Sequence, residues 1–170
     1  MQESVQQNRE ASAILQAPGR AELSVITNDP QTGVAVKCRF DWLTDDGRAL
    51  DLKKTQDCRM DAFGRSIANY RYHVQAAFYS DVWLWETGET LQWFKFLAVE
   101  ERLPHASKIW QLPEPEMAFG RAEYRKNLDE YARCLDANDW PMPDSSSEYI
   151  CLPVWAMPEN DDEFTFDGDK

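Results

Sequence analysis

Two aspartates and a lysine in the first half of the chain have the types and spacing of a metal site. Asp51 and Lys53 are two residues apart, so in a β-strand their side chains point to the same face. Asp41 lies in the preceding strand-like segment, and a hairpin would place it beside them. Adjacent carboxylates repel each other unless a cation compensates their charge, and hard oxygen ligands suit Mg²⁺ or Mn²⁺. A lysine beside such a metal would help to deprotonate bound water or would stabilise charge on a scissile phosphate.

A plainer interpretation of the same residues stays open, because D-x-K tripeptides are common on solvated strand faces. Gln75 and Tyr79 bear on the choice, since residues four apart lie on one face of a helix. Taken alone, Tyr79 would be a core residue and Gln75 a surface residue. These residues by themselves therefore predict either a metal site with a neighbouring helix or an ordinary solvated sheet face.

The elements that must position these residues are predicted from hydrophobic periodicity and turn residues. We expect a helix over 3–16, strands over 22–27, 34–43 and 48–53, a helix from Asp61 to about Trp85, strands over 91–100 and 107–112, and a helix from 113 to about 138. In the second strand, Val36, Cys38 and Phe40 alternate with polar residues and form one apolar face. This order predicts an α/β fold in which helices flank a mixed central β-sheet.

Composition and charge restrict the classes of function. The chain has 170 residues, 43% of them hydrophobic, so one domain with a sizeable core is expected. A net charge of −12 excludes indiscriminate binding to nucleic acids or anionic membranes. Residues 37–71 nevertheless contain eight basic and six acidic side chains, so the predicted metal site lies in a locally basic stretch. Six of the twelve residues in the segment 159–170 are acidic, and this segment is predicted to be a disordered tail.

The sequence shows neither the long apolar run of a membrane span nor a secretory leader. We therefore expect a cytoplasmic protein with reduced cysteines, and no C-x-x-C pair indicates a zinc ribbon. An aromatic series is expected to form the core between helix and sheet, although such rings can also stack on bases. Its members are Trp83, Trp85, Trp93, Phe94 and Phe96.

The order of these residues resembles a known family. Glu22, Asp41, the run Asp51-Leu52-Lys53 and the pair Gln75 and Tyr79 together resemble the PD-(D/E)xK nuclease superfamily, which has a restriction-endonuclease-like fold, in its RecB-like branch. The resemblance is closer to the RecE (exonuclease VIII) nuclease domains and spans about residues 10–157. It is supported by the stretches 29–33, 51–55, 70–81, 123–128, 140–141 and 152–156. Of these, 70–81 is the most specific.

The resemblance implies a metal site and a role for each of its residues. Asp41 and Asp51 would bind Mg²⁺ or Mn²⁺, helped by the backbone carbonyl of Leu52. Glu22 would be an additional acidic ligand. Lys53 would position or activate the attacking water. Metal catalysis fits phosphodiester hydrolysis, because the cation offsets phosphate charge and lowers the pKa of water.

The resemblance also implies a substrate and partners. Gln75 and Tyr79 would support the site and touch DNA, with Lys54 in the same role. The implied enzyme is bacterial or phage-encoded and degrades double-stranded DNA from an end, 5′ to 3′. It would act in phage or prophage recombination with a single-strand annealing protein, as a homo-oligomeric ring.

The sequence departs from the RecE pattern at its start. Domains of that family are longer, begin with more helices that help to clamp DNA, and have a His or other residue near the metal. No His precedes His73 in this chain. Two alternatives therefore stand beside an active exonuclease: a truncated, non-catalytic DNA-binding or interaction module that keeps the nuclease fold, and an assembly subunit whose catalytic arm comes from another chain. We assign the nuclease domain to residues 1–158, without the N-terminal helices of the family.

Overall fold

A computed structural model of the chain describes residues 2–142, 147, 149–153 and 156, and it confirms the predicted α/β class. The elements, in chain order, are α1 (Gln2–Gln7), α2 (Arg9–Gln16), β1 (Gly19–Asn28), β2 (Ala35–Thr44), β3 (Arg48–Thr55), α3 (Met60–Asn69), α4 (Tyr72–Thr87), β4 (Trp93–Glu100), β5 (Ser107–Gln111) and α5 (Glu114–Ala137).

The strands form one five-stranded sheet in the order β1-β2-β3-β4-β5. Strands β1, β2 and β3 form an antiparallel meander, as predicted from their turn residues. Strand β4 then pairs parallel to β3, and β5 pairs antiparallel to β4. Parallel neighbours need a crossover connection, which α3 and α4 provide. The mixed sheet predicted from the order of elements is thereby confirmed.

Two apolar clusters cover the two faces of the sheet. The larger one packs the sheet against α3, α4 and α5, and its buried side chains include Phe40, Phe63, Val82, Phe94 and Phe96. The smaller one packs the other face against α1 and α2 through Ala11, Ile14, Leu50, Leu97 and Val99. Strand β4 is therefore buried on both faces, as is typical of the parallel part of a sheet. The aromatic series predicted for the core packs in these clusters.

The helix predicted from Asp61 to Trp85 is wrong in one respect, because the chain breaks between α3 and α4. Tyr70 ends α3, and Arg71 adopts a left-handed backbone conformation with φ +55°. Neither residue is Gly or Pro, so no local signal marks the break. The apolar periodicity continues across it because both helices bury side chains against the same cluster. The helix predicted over 3–16 is likewise two helices, divided at Asn8, whose side chain caps α2 by accepting a hydrogen bond from Ala11 N–H.

The sheet opens locally between β2 and β3, and this opening positions the candidate site. The two strands are paired only at Trp42 with Leu50 and at Leu43 with Ala49. Beyond Leu50, β3 continues in register with β4 alone. The β1–β2 ladder also omits the position where Glu22 faces Asp41, and Glu22 has a left-handed φ of +53°. Asp41 therefore lies where β2 turns away from β3.

The chain divides into two compact units, Met1–Asp139 and Trp140–Lys170. The predicted tail 159–170 lies outside the described residues. All four cysteines are free thiols; Cys38, Cys58 and Cys134 are buried, and Cys151 is exposed. No helix in the described part of the chain is long and apolar enough to cross a membrane.

Candidate active site

The side chain of Asp41 bridges the gap between β2 and β3. Its Oδ2 accepts a hydrogen bond of 2.7 Å from the backbone N–H of Leu52, so a carboxylate takes the place of a ladder partner. The N–H and C=O groups of one residue point to the same side of an extended strand. The Leu52 carbonyl therefore also faces the gap, beside Asp41.

Asp51 lies next to Asp41 and is almost fully buried, with 3% of its surface exposed. The Nε2 of Gln75, on α4, donates a hydrogen bond of 2.6 Å to Asp51 Oδ1. The Nζ of Lys53 lies 2.5 Å from Asp51 Oδ2, so the predicted common face of these two residues is present. Gln75 is half-buried and contacts the site, unlike the surface residue expected from its helix position alone.

The electrostatics of Asp51 favour a cation. Burial is the largest effect and raises the pKa of its carboxyl group, and the negative charge of Asp41 raises it further. Lys53 and Gln75 act in the opposite direction without reversing the shift. Within the described residues the ammonium group of Lys53, 2.5 Å away, is the one partner of Asp51 Oδ2. A carboxylate oxygen can accept more than one contact, so this oxygen keeps acceptor capacity that a bound cation would use.

The ammonium group of Lys53 is held against aromatic rings. Its Nζ lies 4.6 Å from the ring centroid of Tyr72 and 5.9 Å from that of Phe96. The side chain is only 17% exposed, so the cation–π contact acts in a partly dry environment. Sequence reasoning missed Tyr72, because it reaches Lys53 only through the packing of α4 on β3, which no local spacing reveals.

Tyr79 supports the site from the core. Its ring packs edge-on against Phe40 and Phe94, at centroid distances of 5.4 and 6.0 Å. Burial raises the pKa of its hydroxyl group, and the charges of Asp51 and Asp41 contribute in the same direction. The hydroxyl is therefore within electrostatic reach of both carboxylates, while the ring is part of the core.

Two of the predicted site residues pair with charged residues outside this cluster. Glu22 forms an ion pair of 3.0 Å with Arg39, and both side chains are about 60% exposed. Lys54 is exposed, with its Nζ 3.9 Å from a carboxylate oxygen of Glu101. Across the described residues there is no group of three or more His, Cys, Asp or Glu side chains placed to hold a metal. The structure therefore brings together Asp41 and Asp51 and pairs Glu22 with Arg39, and the assignment of Glu22 as a further ligand stays a prediction.

Comparison with known proteins agrees with this architecture. Residues 1–153 match the family described as "PDDEXK-like domain of unknown function (DUF3799)". No curated protein matches the chain. A candidate exonuclease from Eubacterium rectale superposes with a TM-score of 0.63 at 13% identity, over 82% of this chain and 54% of that one. An alkaline exonuclease from Laribacter hongkongensis gives a TM-score of 0.37 at 16% identity, over 79% and 70% of the two chains.

The chain spans about half the length of the Eubacterium rectale protein. At 13% identity, the superposition establishes a shared fold and no more.

Proposed function

The chain belongs to the PDDEXK-like domain family (DUF3799), and on that premise we propose that it is a metal-dependent nuclease that hydrolyses phosphodiester bonds in DNA. The observation that carries the proposal is that the buried carboxylate of Asp51 lies beside a second carboxylate, that of Asp41, with the ammonium group of Lys53 as the one partner of Asp51 Oδ2 among the described residues. Two carboxylates this close repel each other, and a bound cation would compensate their charge.

The donors around Asp51 fit a hard divalent cation. Asp41, Asp51 and the Leu52 carbonyl would hold it, since Mg²⁺ and Mn²⁺ prefer oxygen ligands. When bound, such an ion offsets negative charge on the phosphate and lowers the pKa of a water molecule. The burial of Asp51 places one side of this site in surroundings of low dielectric constant, where that electrostatic effect is larger than in water.

Lys53 is our candidate for orienting the nucleophile. The face of Tyr72 and the carboxylate of Asp51 fix its ammonium group from two sides. From there it would orient an attacking water and stabilise charge that develops on the phosphate. Gln75 fixes Asp51 through Oδ1. The other carboxylate oxygen, Oδ2, lies next to the ammonium group of Lys53.

The finer form of the proposal follows the RecE resemblance. In this form, the protein is a 5′-to-3′ exonuclease that uses Mg²⁺ and acts on double-stranded DNA ends. It works as a homo-oligomeric ring, together with a single-strand annealing protein, in recombination. Lys54, exposed next to Lys53, would contact the DNA backbone. The second candidate is a non-catalytic DNA-binding module, favoured by the missing third carboxylate among the described residues.

The test is cleavage of end-labelled linear duplex DNA in Mg²⁺, in Mn²⁺ and in EDTA, with closed circular DNA as the control for end dependence. We expect the wild-type protein to degrade linear DNA only with a cation, and Asp51→Asn to be inactive. Asp45→Asn is the matched control, because it removes the same charge from an exposed position in the β2–β3 turn. Intact linear DNA under all conditions with the wild-type protein overturns the catalytic proposal. Loss of label from only one strand end gives the polarity.

A further inference from the structure

Tyr70 and Tyr72 form a stacked pair of rings next to the candidate site. Their centroids are 5.6 Å apart and their planes differ by 23°. Tyr72 is half-buried and lies against the ammonium group of Lys53, whereas 70% of Tyr70 is exposed. One exposed ring is thus linked to the lysine of the site through a single intervening ring.

This pair exists because the chain breaks between α3 and α4. Residues two apart in a continuous helix point to different faces and do not stack. The left-handed conformation of Arg71, between the two tyrosines, turns the backbone so that their rings meet. A non-glycine residue rarely adopts this conformation, and strain of this kind is concentrated at functional sites. The local geometry therefore presents Tyr70 outward on top of Tyr72.

A polar cavity of about 520 Å³ adjoins the two rings. Its lining includes Lys54, Arg65, Asn69, Asp57 and Glu101 together with both tyrosines. Of the two acidic groups, Asp57 pairs with Arg59 at 2.6 Å, and Glu101 forms only a loose, exposed contact of 3.9 Å with Lys54. Arg65 is exposed, as are Lys54 and Asn69, so hydrogen-bond donors border the stacked rings.

We propose that Tyr70 stacks on an unpaired nucleobase of the DNA strand bound at the site, with Tyr72 behind it and with Lys54 and Arg65 near the flanking phosphates. Aromatic side chains bind bases without sequence preference, because every base has a π-face, and cationic side chains follow the backbone. Bases inside a duplex have both faces covered, so this stacking selects a strand end that is frayed or single-stranded. The inference rests on the proposed nuclease function and names the form of its substrate.

The test measures stacking separately from cleavage. An oligonucleotide containing 2-aminopurine is titrated with the otherwise wild-type parent protein in EDTA, which blocks cation-dependent cleavage of the probe, because the fluorescence of this base falls when it stacks. Three substitutions are compared: Tyr70→Leu removes the ring, Tyr70→Phe keeps it, and Phe119→Leu is the control. Phe119 is a matched position, since it is 59% exposed and stacks on another ring, His73, at 5.3 Å.

We expect Tyr70→Phe and Phe119→Leu to bind and quench like the parent protein, and Tyr70→Leu to bind roughly tenfold more weakly without quenching. Single-stranded DNA should bind more tightly than blunt duplex. Equal quenching by Tyr70→Leu, equal loss in Tyr70→Phe, or no DNA binding by the parent protein overturns the proposal. Wild-type protein that fails to cleave DNA, while the Tyr70 pattern is as expected, overturns the nuclease function and leaves the stacking site standing.

Discussion

Asp29 and Asp51 are two aspartates at nearly equal depth in the same protein, with 1% and 3% of their surfaces exposed. Asp29 accepts two hydrogen bonds from the guanidinium group of Arg125, at 2.7 and 2.9 Å, and two more from the backbone N–H and hydroxyl groups of Thr32. Asp51 accepts one hydrogen bond, from Gln75, and lies between the cation of Lys53 and the anion of Asp41.

The pKa values of the two carboxyl groups shift in opposite directions because their partners differ. Burial raises the pKa of both. At Asp29, hydrogen bonds from Arg125 and Thr32 outweigh burial and lower the pKa to about 2. At Asp51, Lys53 and Gln75 do not outweigh burial and the charge of Asp41, so the pKa stays raised. The depth of burial therefore does not decide the direction in which the pKa of a carboxyl group shifts; its hydrogen-bond and charge partners do.

The largest expected effect is on catalysis at Asp51. The substitution Asp51→Asn keeps the shape of the side chain and removes its charge, so cation binding and cleavage should both be lost. We expect the cleavage rate to fall about a thousandfold or more, since metal catalysis contributes several kcal/mol. The free energy of unfolding should fall less than it does in Asp29→Asn, because the loss of the Lys53 ion pair is offset by relief of the desolvation of Asp51 and of its repulsion from Asp41. Cleavage assays measure the rate, and urea unfolding measures the free energy of unfolding, with Asp45→Asn as the control for both. A large loss of stability would instead identify Asp51 as a structural residue like Asp29.

The opposite result is expected at Asp29. The substitution Asp29→Asn leaves the guanidinium group of Arg125, which is 22% exposed, without its carboxylate. Breaking a buried pair in this way costs about 3 kcal/mol, with allowance for the solvent that reaches Arg125. Urea unfolding measures the loss. Cleavage per folded molecule should match the wild-type value, and a selective loss of cleavage at full stability would contradict the comparison.

Acid should weaken the hydrogen bonds that Asp29 accepts from Thr32 and Arg125. The folded pKa of Asp29, about 2, lies below its ordinary value of 3.8. The ionised carboxylate therefore contributes its full stabilisation above about pH 4, and this is lost as the pH falls towards 2. The loss should be about 2 kcal/mol. The measurement is the difference in unfolding free energy between the wild-type protein and Asp29→Asn from pH 5 to pH 2. This difference should become smaller as the pH falls. A difference that is independent of pH would mean that the stabilisation by Asp29 does not depend on its charge.

Local periodicity explains which parts of this comparison were predictable from sequence. Alternation placed Val36 and Cys38 on the buried face of β2, and a spacing of two placed Asp51 and Lys53 together, because strand geometry alone decides both. The contact of Arg125 with Asp29 joins residues 96 positions apart, and no local pattern encodes it. The break at Arg71 escaped prediction because its signal is a backbone conformation without a Gly or Pro.

The smallest effect is expected at Glu22. Its substitution tests whether a third carboxylate acts together with Asp41 and Asp51. Its carboxylate is paired with Arg39 in solvent, and such exposed pairs contribute little. We therefore expect Glu22→Gln to change the free energy of unfolding by less than about 0.5 kcal/mol and the cleavage rate by less than about threefold. Asp41→Asn, assayed in parallel, should instead lose cleavage as Asp51→Asn does, because Asp41 faces the Leu52 carbonyl across the gap. If Glu22→Gln were as inactive as Asp51→Asn, then Glu22 must leave Arg39 and complete the site when the cation binds. The site would then contain a third carboxylate beside those of Asp41 and Asp51, as the family resemblance implied.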